Sequence, residues 1–174
     1  MTLFKQFMAK RRTKKRRLHV LPLHDLLVET TKRLTDSDAL GIENTFMLRF
    51  EVMTFLTAQA LLTLKFDKSP HNQEWSQALW DLFFEGLDHS LREQGVNDIR
   101  MAARMQRLFT SGTGRRNAYL KAWETDDQAA LRRAIGRNIL TIPEDEDNSD
   151  PRIDQLIGEL ETIRQATLSI LPPG

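Results

Sequence analysis

A chain of 174 residues can fold as one domain with a sizeable core, and its formal net charge of +1 hides a division. Residues 1–17 hold eight of the 25 Lys and Arg and no acid, so the remainder stands at −7. Cysteine is absent, which excludes disulfides, thiolate metal sites and cysteine nucleophiles and suits a reducing compartment.

The charge division predicts a basic tail, residues 1–17, joined to a mildly acidic body, residues 18–174. In the tail Leu3, Phe4, Phe7 and Met8 share one face of a short helix, while Lys5, Lys10, Arg11, Arg12, Lys14, Lys15, Arg16 and Arg17 supply charge. Three readings fit: an amphipathic helix lying in an anionic lipid interface, a contact to ribosomal or other RNA, or a solubilising tail. Pro22, His24 and Asp25 interrupt the apolar stretch that follows, so no secretory signal is expected, and the lack of serine argues against a mitochondrial transit peptide.

Pro22 is expected to start a second helix that carries Leu23, Leu26, Leu27, Thr30, Thr31 and Leu34, followed by a loop at Asp36-Ser37-Asp38 and Gly41. From about Glu43 to Phe66, Phe46, Phe50, Met53, Leu56, Ala60 and Leu64 recur at helical spacing. The 13 uncharged residues Val52 to Leu64 are too few for a membrane span and read as a core helix. Arg49 and Glu51, flanking Phe50, read as a surface ion pair with neighbours.

Ser69-Pro70 opens the next helix, which is read as the organising element of the chain. On it Trp75, Leu79, Trp80, Leu82, Phe83, Phe84, Leu87 and Leu91 cover roughly 200° of arc, well beyond an ordinary amphipathic stripe. Asp81, Glu85, Asp88 and Arg92 form a narrow charged ridge on the remaining arc. Gly95 is expected to close this helix in a left-handed conformation, and Asn97 or Asp98 to cap the one after.

That next helix, residues 98–111, directs Met101, Met105, Leu108, Ala102 and Phe109 toward the core and a basic ridge of Arg100, Arg104 and Arg107 outward. Arg115 and Arg116 extend the ridge. Ser111-Gly112-Thr113-Gly114 is expected to break the helix; as a phosphate cradle it fails, because Arg115-Arg116 replace the lysine and hydroxyl of a P-loop. Thr125 to Gln128 reads as a capping box for a helix over about 126–138, which Gly136 can end early. Glu144 to Asp150 is an acidic linker without the glycine and glutamate of a calcium loop. Asp150-Pro151 caps a last helix, about 151–170, with Ile153, Leu156, Ile157, Leu160, Ile163 and Leu168 on one face, and Pro172-Pro173 ends it. Without a strand pattern, the expectation is an all-α single domain.

The sequence offers no chemistry of its own. Asp81, Glu85 and His89 align on one face, but the Glu-x-x-His pairs of a di-metal bundle are missing, so His89 is read as a surface partner of Glu85 or Glu93. No serine stands in a nucleophile elbow. The expectation is a binding protein that is not an enzyme and has no cofactor and no metal.

An ordered set of short motifs resembles the ubiquinol-cytochrome c chaperone family. Gly41, Thr45 and Arg49-Phe50-Glu51 resemble its glycine-threonine-RFE segment. Phe83-Phe84, Asp88, Ser90 to Glu93, Gly95-Val96 and Asp98 are similar to its signature, and Gly114-Arg115 with Ala118-Tyr119 to its GR-x-x-AY segment. Two positions depart: Leu56 stands where many members have histidine, and Thr113 where a tyrosine usually precedes the GR pair. The resemblance implies an assembly chaperone of respiratory complex III whose partners are newly made cytochrome b, the ribosome near its tunnel exit, an anionic membrane surface and a small partner assembly factor. It implies a cytoplasmic protein peripheral to the inner membrane in a bacterium, or a matrix protein in a mitochondrion. Trp80 and Phe84, at the margin of the apolar arc beside Asp81, Glu85 and Asp88, are then expected to bind the client. Met47, Met53, Met101 and Met105 offer adaptable contacts. The alternative, from the basic segments alone, is an RNA- or ribosome-binding helical module without a complex III role.

Overall fold

The computed structural model describes residues 3–36, 40–67, 69–143 and 149–171, with side chains from Arg16 onward. Among the described residues six α-helices follow in order: α1 Leu3–Asp36, α2 Phe46–Phe66, α3 Asn72–Glu93, α4 Asp98–Glu124, α5 Gln128–Ile135 and α6 Pro151–Ile170, with a π turn at Gly136–Leu140 after α5. The fold is all-α, and no strand occurs among the described residues.

The organising element is α2 rather than α3. Every residue from Phe50 to Leu64 except Leu62 is buried, because α1, α3, α4 and α6 pack around it. Among the described residues it is the one helix long and apolar enough to cross a membrane, yet 78% of its most apolar window is buried by these neighbours. Several threonines enter this core by donating their hydroxyls to the backbone one turn back, as Thr54 does to the Phe50 carbonyl (2.7 Å) and Thr167 to that of Ile163 (2.7 Å). Hydrogen-bonding in this way removes the cost of burying a free hydroxyl.

Pro22 does not divide the N-terminal region: α1 is continuous through it. Its ring leaves the Leu18 carbonyl without a helical donor, but Pro22 and Leu18 are both exposed, so water can take the donor's place. Val20, Leu23, Leu27 and Leu34 are buried on the opposite face and hold the helix to the core.

The corner between α3 and α4 forms as its residues predict. Gly95 is left-handed (φ +77°), and the N–H groups of Gly95 and Val96 donate to the carbonyls of Arg92 and Leu91 at 2.9 and 3.1 Å. That pairing satisfies the last helical carbonyls. The Asn97 side chain then accepts from the Arg100 N–H at 3.1 Å.

Several boundaries differ from the expectation. The turn at Pro70-His71 precedes α3, which begins at Asn72. No break occurs at 111–114; α4 runs through it to Glu124. Gly112 belongs there because a Cβ would lie 3.4 Å from both the Phe50 and Phe84 rings, a close approach whose packing offsets the ~1 kcal/mol that glycine loses to alanine in a helix. Asp127 caps α5 by accepting from the Ala130 N–H at 2.8 Å; Thr125 instead ends α4. At Gly136 the winding loosens to π, and Thr141, left-handed at φ +56°, ends it. Asp150 caps α6 as expected. On that helix Leu168 and Ile157 are half-buried, and Thr167 completes the buried face. The expected loop at residues 37–38, the acidic run at 144–148 and the terminal Pro172-Pro173 lie outside the described residues.

Candidate functional site

The start of α2, the middle of α4 and the π turn enclose a cleft of about 670 Å³. Glu51 is at its floor. Far from a surface position, this carboxylate is 5% exposed and lies 2.5 Å from the Arg115 Nε. Burial pushes its pKa up to about 7 against the opposing charge of Arg115, because removal from water penalises the ionised form. Arg115 also lies 5.8 Å over the Phe50 ring. Residues 64 positions apart in the chain therefore form one ion pair, its carboxylate buried and its guanidinium partly exposed.

Neighbouring side chains brace it. Tyr119 is fully buried, meets Phe55 edge-on at 5.2 Å and accepts a hydrogen bond from Asn138 of the π turn at 3.2 Å. Burial holds its phenol well above the usual range. Arg49, on the outer side of α2, donates to the Asn44 Oδ1 at 2.7 Å. Met47, 46% exposed, and Gly114 and Ser111 line the cleft with Arg137. Apolar walls and a cationic rim can accept an apolar segment flanked by negative or hydrogen-bonding groups.

The remaining motif positions form a second group at the α3–α4 corner. Arg92 donates from Nε to Asp88 (2.8 Å) and from Nη1 to Asp98 (2.8 Å). These bonds raise its pKa and clamp the corner that Gly95 turns. Asp88, Arg92, Gly95 and Asp98 thus serve geometry, whereas Glu51, Gly114 and Arg115 line a cavity.

The face of α3 expected to meet a client divides: Asp81 and Glu85 stay exposed, Phe84 and Asp88 are half-buried and Trp80 is buried. Trp80 is 5% exposed, with the Arg116 guanidinium 4.6 Å over its ring. Phe84 is half-buried, 5.1 Å from Trp80 and 5.1 Å from Phe109. Glu85 accepts two hydrogen bonds from Arg17 (2.9 and 2.6 Å), Asp88 belongs to the corner clamp, and Asp81 accepts from Gln77 at 2.7 Å. Arg16 pairs with Glu74. The last two residues of the basic tail therefore dock on α3. The side chains of Phe4, Lys5, Phe7, Met8, Lys10, Arg11, Arg12, Lys14 and Lys15 lie outside the described residues.

The basic ridge divides in the same way. Arg100 and Arg107 are exposed and Arg104 lies 5.5 Å over Phe46, but Arg115 and Arg116 turn inward to Glu51 and Trp80. Ala102 and Phe109 point outward instead of into the core, with Phe109 47% exposed. Met53 and Met101 are core residues, Met105 is half-buried, and Met47 alone of the four is exposed. His89 pairs with Glu93 at 3.2 Å. Among the described residues no group of three or more His, Asp or Glu is placed to hold a metal ion. The two departures have structural places: Leu56 is fully buried, and Thr113 is half-buried.

Sequence reasoning missed Arg137 and Asn138 as cleft residues, and it named Met47 without setting it apart from three other methionines. The π turn that brings the first two to α4 has no signal beyond Gly136, and Met47 was one of four equivalent methionines until packing separated them.

Residues 38–167, about three quarters of the chain, match the family described as ubiquinol-cytochrome C chaperone. The crystal structure of the Cbp3 homolog from Brucella abortus has the same fold, with a TM-score of 0.69 and 24% identity over 99% of this chain and 96% of that one. Among curated proteins none matches significantly.

Proposed function

As the chain belongs to the ubiquinol-cytochrome c chaperone family, we propose that it holds newly made cytochrome b during assembly of complex III and receives the client in the cleft above Glu51 and Arg115. The family is one of chaperones for this complex, which gives the general role and suggests a protein without catalytic activity. The observation that carries the finer reading is the union of Glu51 and Arg115, from two separate motifs, at the floor of one cavity. A buried ion pair is a poor source of stability, because desolvation offsets most of the attraction. Its place at an open cleft supports a role in recognition. Met47 at the rim supplies a flexible thioether that adapts to varied apolar side chains.

On this reading the chain works beside the membrane, at the cytoplasmic face of the inner membrane in a bacterium or in the matrix of a mitochondrion. The basic segment 1–17 meets the ribosome near its tunnel exit or anionic lipid, and a small assembly factor completes the complex. A module that binds RNA without a complex III role is the weaker reading, since Arg115 and Arg116 are engaged within the fold.

Gly114→Leu separates binding from folding. A Cβ at Gly114 meets nothing within 4 Å, and a helix gains about 1 kcal/mol or less on losing an interior glycine. The variant is expected to melt at or above the parent temperature while cytochrome b no longer co-purifies with it. Undiminished co-purification would move the client elsewhere.

A further inference from the structure

The α3–α4 corner carries a surface that the client reading does not use. Ile99, on the first turn of α4, is 90% exposed, the most exposed of the large hydrophobic residues described. Beside it the turn at Gln94–Asn97 and the side chains of Arg100, Ala103, Arg104 and Arg107 form a shallow cleft of about 540 Å³. The guanidinium groups of Arg100 and Arg107 have no partner among the described residues, and Arg104 rests on the Phe46 ring rather than on an acid. The nearby acids are engaged, Asp98 and Asp88 by Arg92 and Glu93 by His89. The corner therefore presents three arginines without an acidic partner among the described residues, around one projecting aliphatic side chain.

We propose that this corner docks on an anionic phospholipid bilayer, with headgroup phosphates against Arg100, Arg104 and Arg107 and Ile99 entering the acyl boundary. Charge complementarity selects an anionic surface. The apolar element is a projection, which a deformable bilayer can enclose, whereas a folded partner would need a matching hollow. Nucleic acid fits less well: none of the residues lining the cleft is aromatic, so there is no platform for stacking bases.

The absence of cysteine makes the test site-specific. Full-length Ile99→Cys, or Ala103→Cys should the first fold poorly, is labelled with an environment-sensitive dye and titrated with vesicles of phosphatidylglycerol and phosphatidylcholine, of phosphatidylcholine alone, and with single-stranded RNA. The expected result is a blue shift with the anionic vesicles only, and none for a dye on Gln155→Cys of α6. Arg100→Glu with Arg107→Glu should weaken the transition about tenfold or more without changing the melting temperature. A silent dye at both corner positions while the chain sediments with vesicles, an undiminished transition in the double variant, or a shift with RNA and not with vesicles would overturn the proposal.

Discussion

Glu51 shows how one side chain links the cleft to the stability of the whole. Its ordinary value of 4.5 is raised to about 7 in the fold, so between these values the folded state binds a proton that the unfolded chain releases. The stabilising contribution of the protonated form is complete below about pH 4.5 and is lost as pH rises through about 7. His24 works in the opposite direction: burial lowers its pKa, so stability is lost there as pH falls through the ordinary histidine value. The comparison with Glu51→Gln isolates the carboxyl. Unfolding free energies from urea titrations at pH 5 and pH 8 should fall with pH more steeply for the parent than for the variant, by an amount on the order of 2 kcal/mol. Equal slopes would mean that Arg115 fully compensates the burial of Glu51.

At the scale of elements, α1 and α4 show that punctuation in a sequence is subordinate to packing. Pro22 and the 111–114 stretch both carry local signals for a break. Both are overridden, Pro22 because it lies on the solvent side of a helix anchored by Val20 and Leu23, Gly112 because two phenylalanine rings close against it. The override at Pro22 still costs a helical hydrogen bond. Pro22→Ala restores the donor and is expected to raise the unfolding free energy by about 1 kcal/mol or more, measurable as a higher thermal midpoint. An unchanged or lower midpoint would mean that proline's restriction of the unfolded chain outweighs the lost bond.

At the scale of the molecule, α1, α3, α4 and α6 share a single core through α2. Among the described residues no peripheral pair of helices has a second core on which to persist, which predicts one cooperative transition. Trp75 and Trp80 report on α3, and Trp123 on α4, where it packs against Phe55 of α2. Tryptophan fluorescence and far-ultraviolet circular dichroism should therefore give coincident denaturation curves. Separate midpoints would show that part of the helical shell opens independently. The helical class, the caps at Asn97 and Asp150, the glycine corner and the family were legible in the sequence because each rests on neighbours in the chain or on an ordered string of motifs. The inward course of Glu51, Arg115 and Arg116, the burial of Trp80, the exposure of Ile99 and the primacy of α2 were decided by tertiary structure alone. Helical periodicity reports which residues share a face; which face is covered, and by which helix, depends on contacts between residues tens of positions apart.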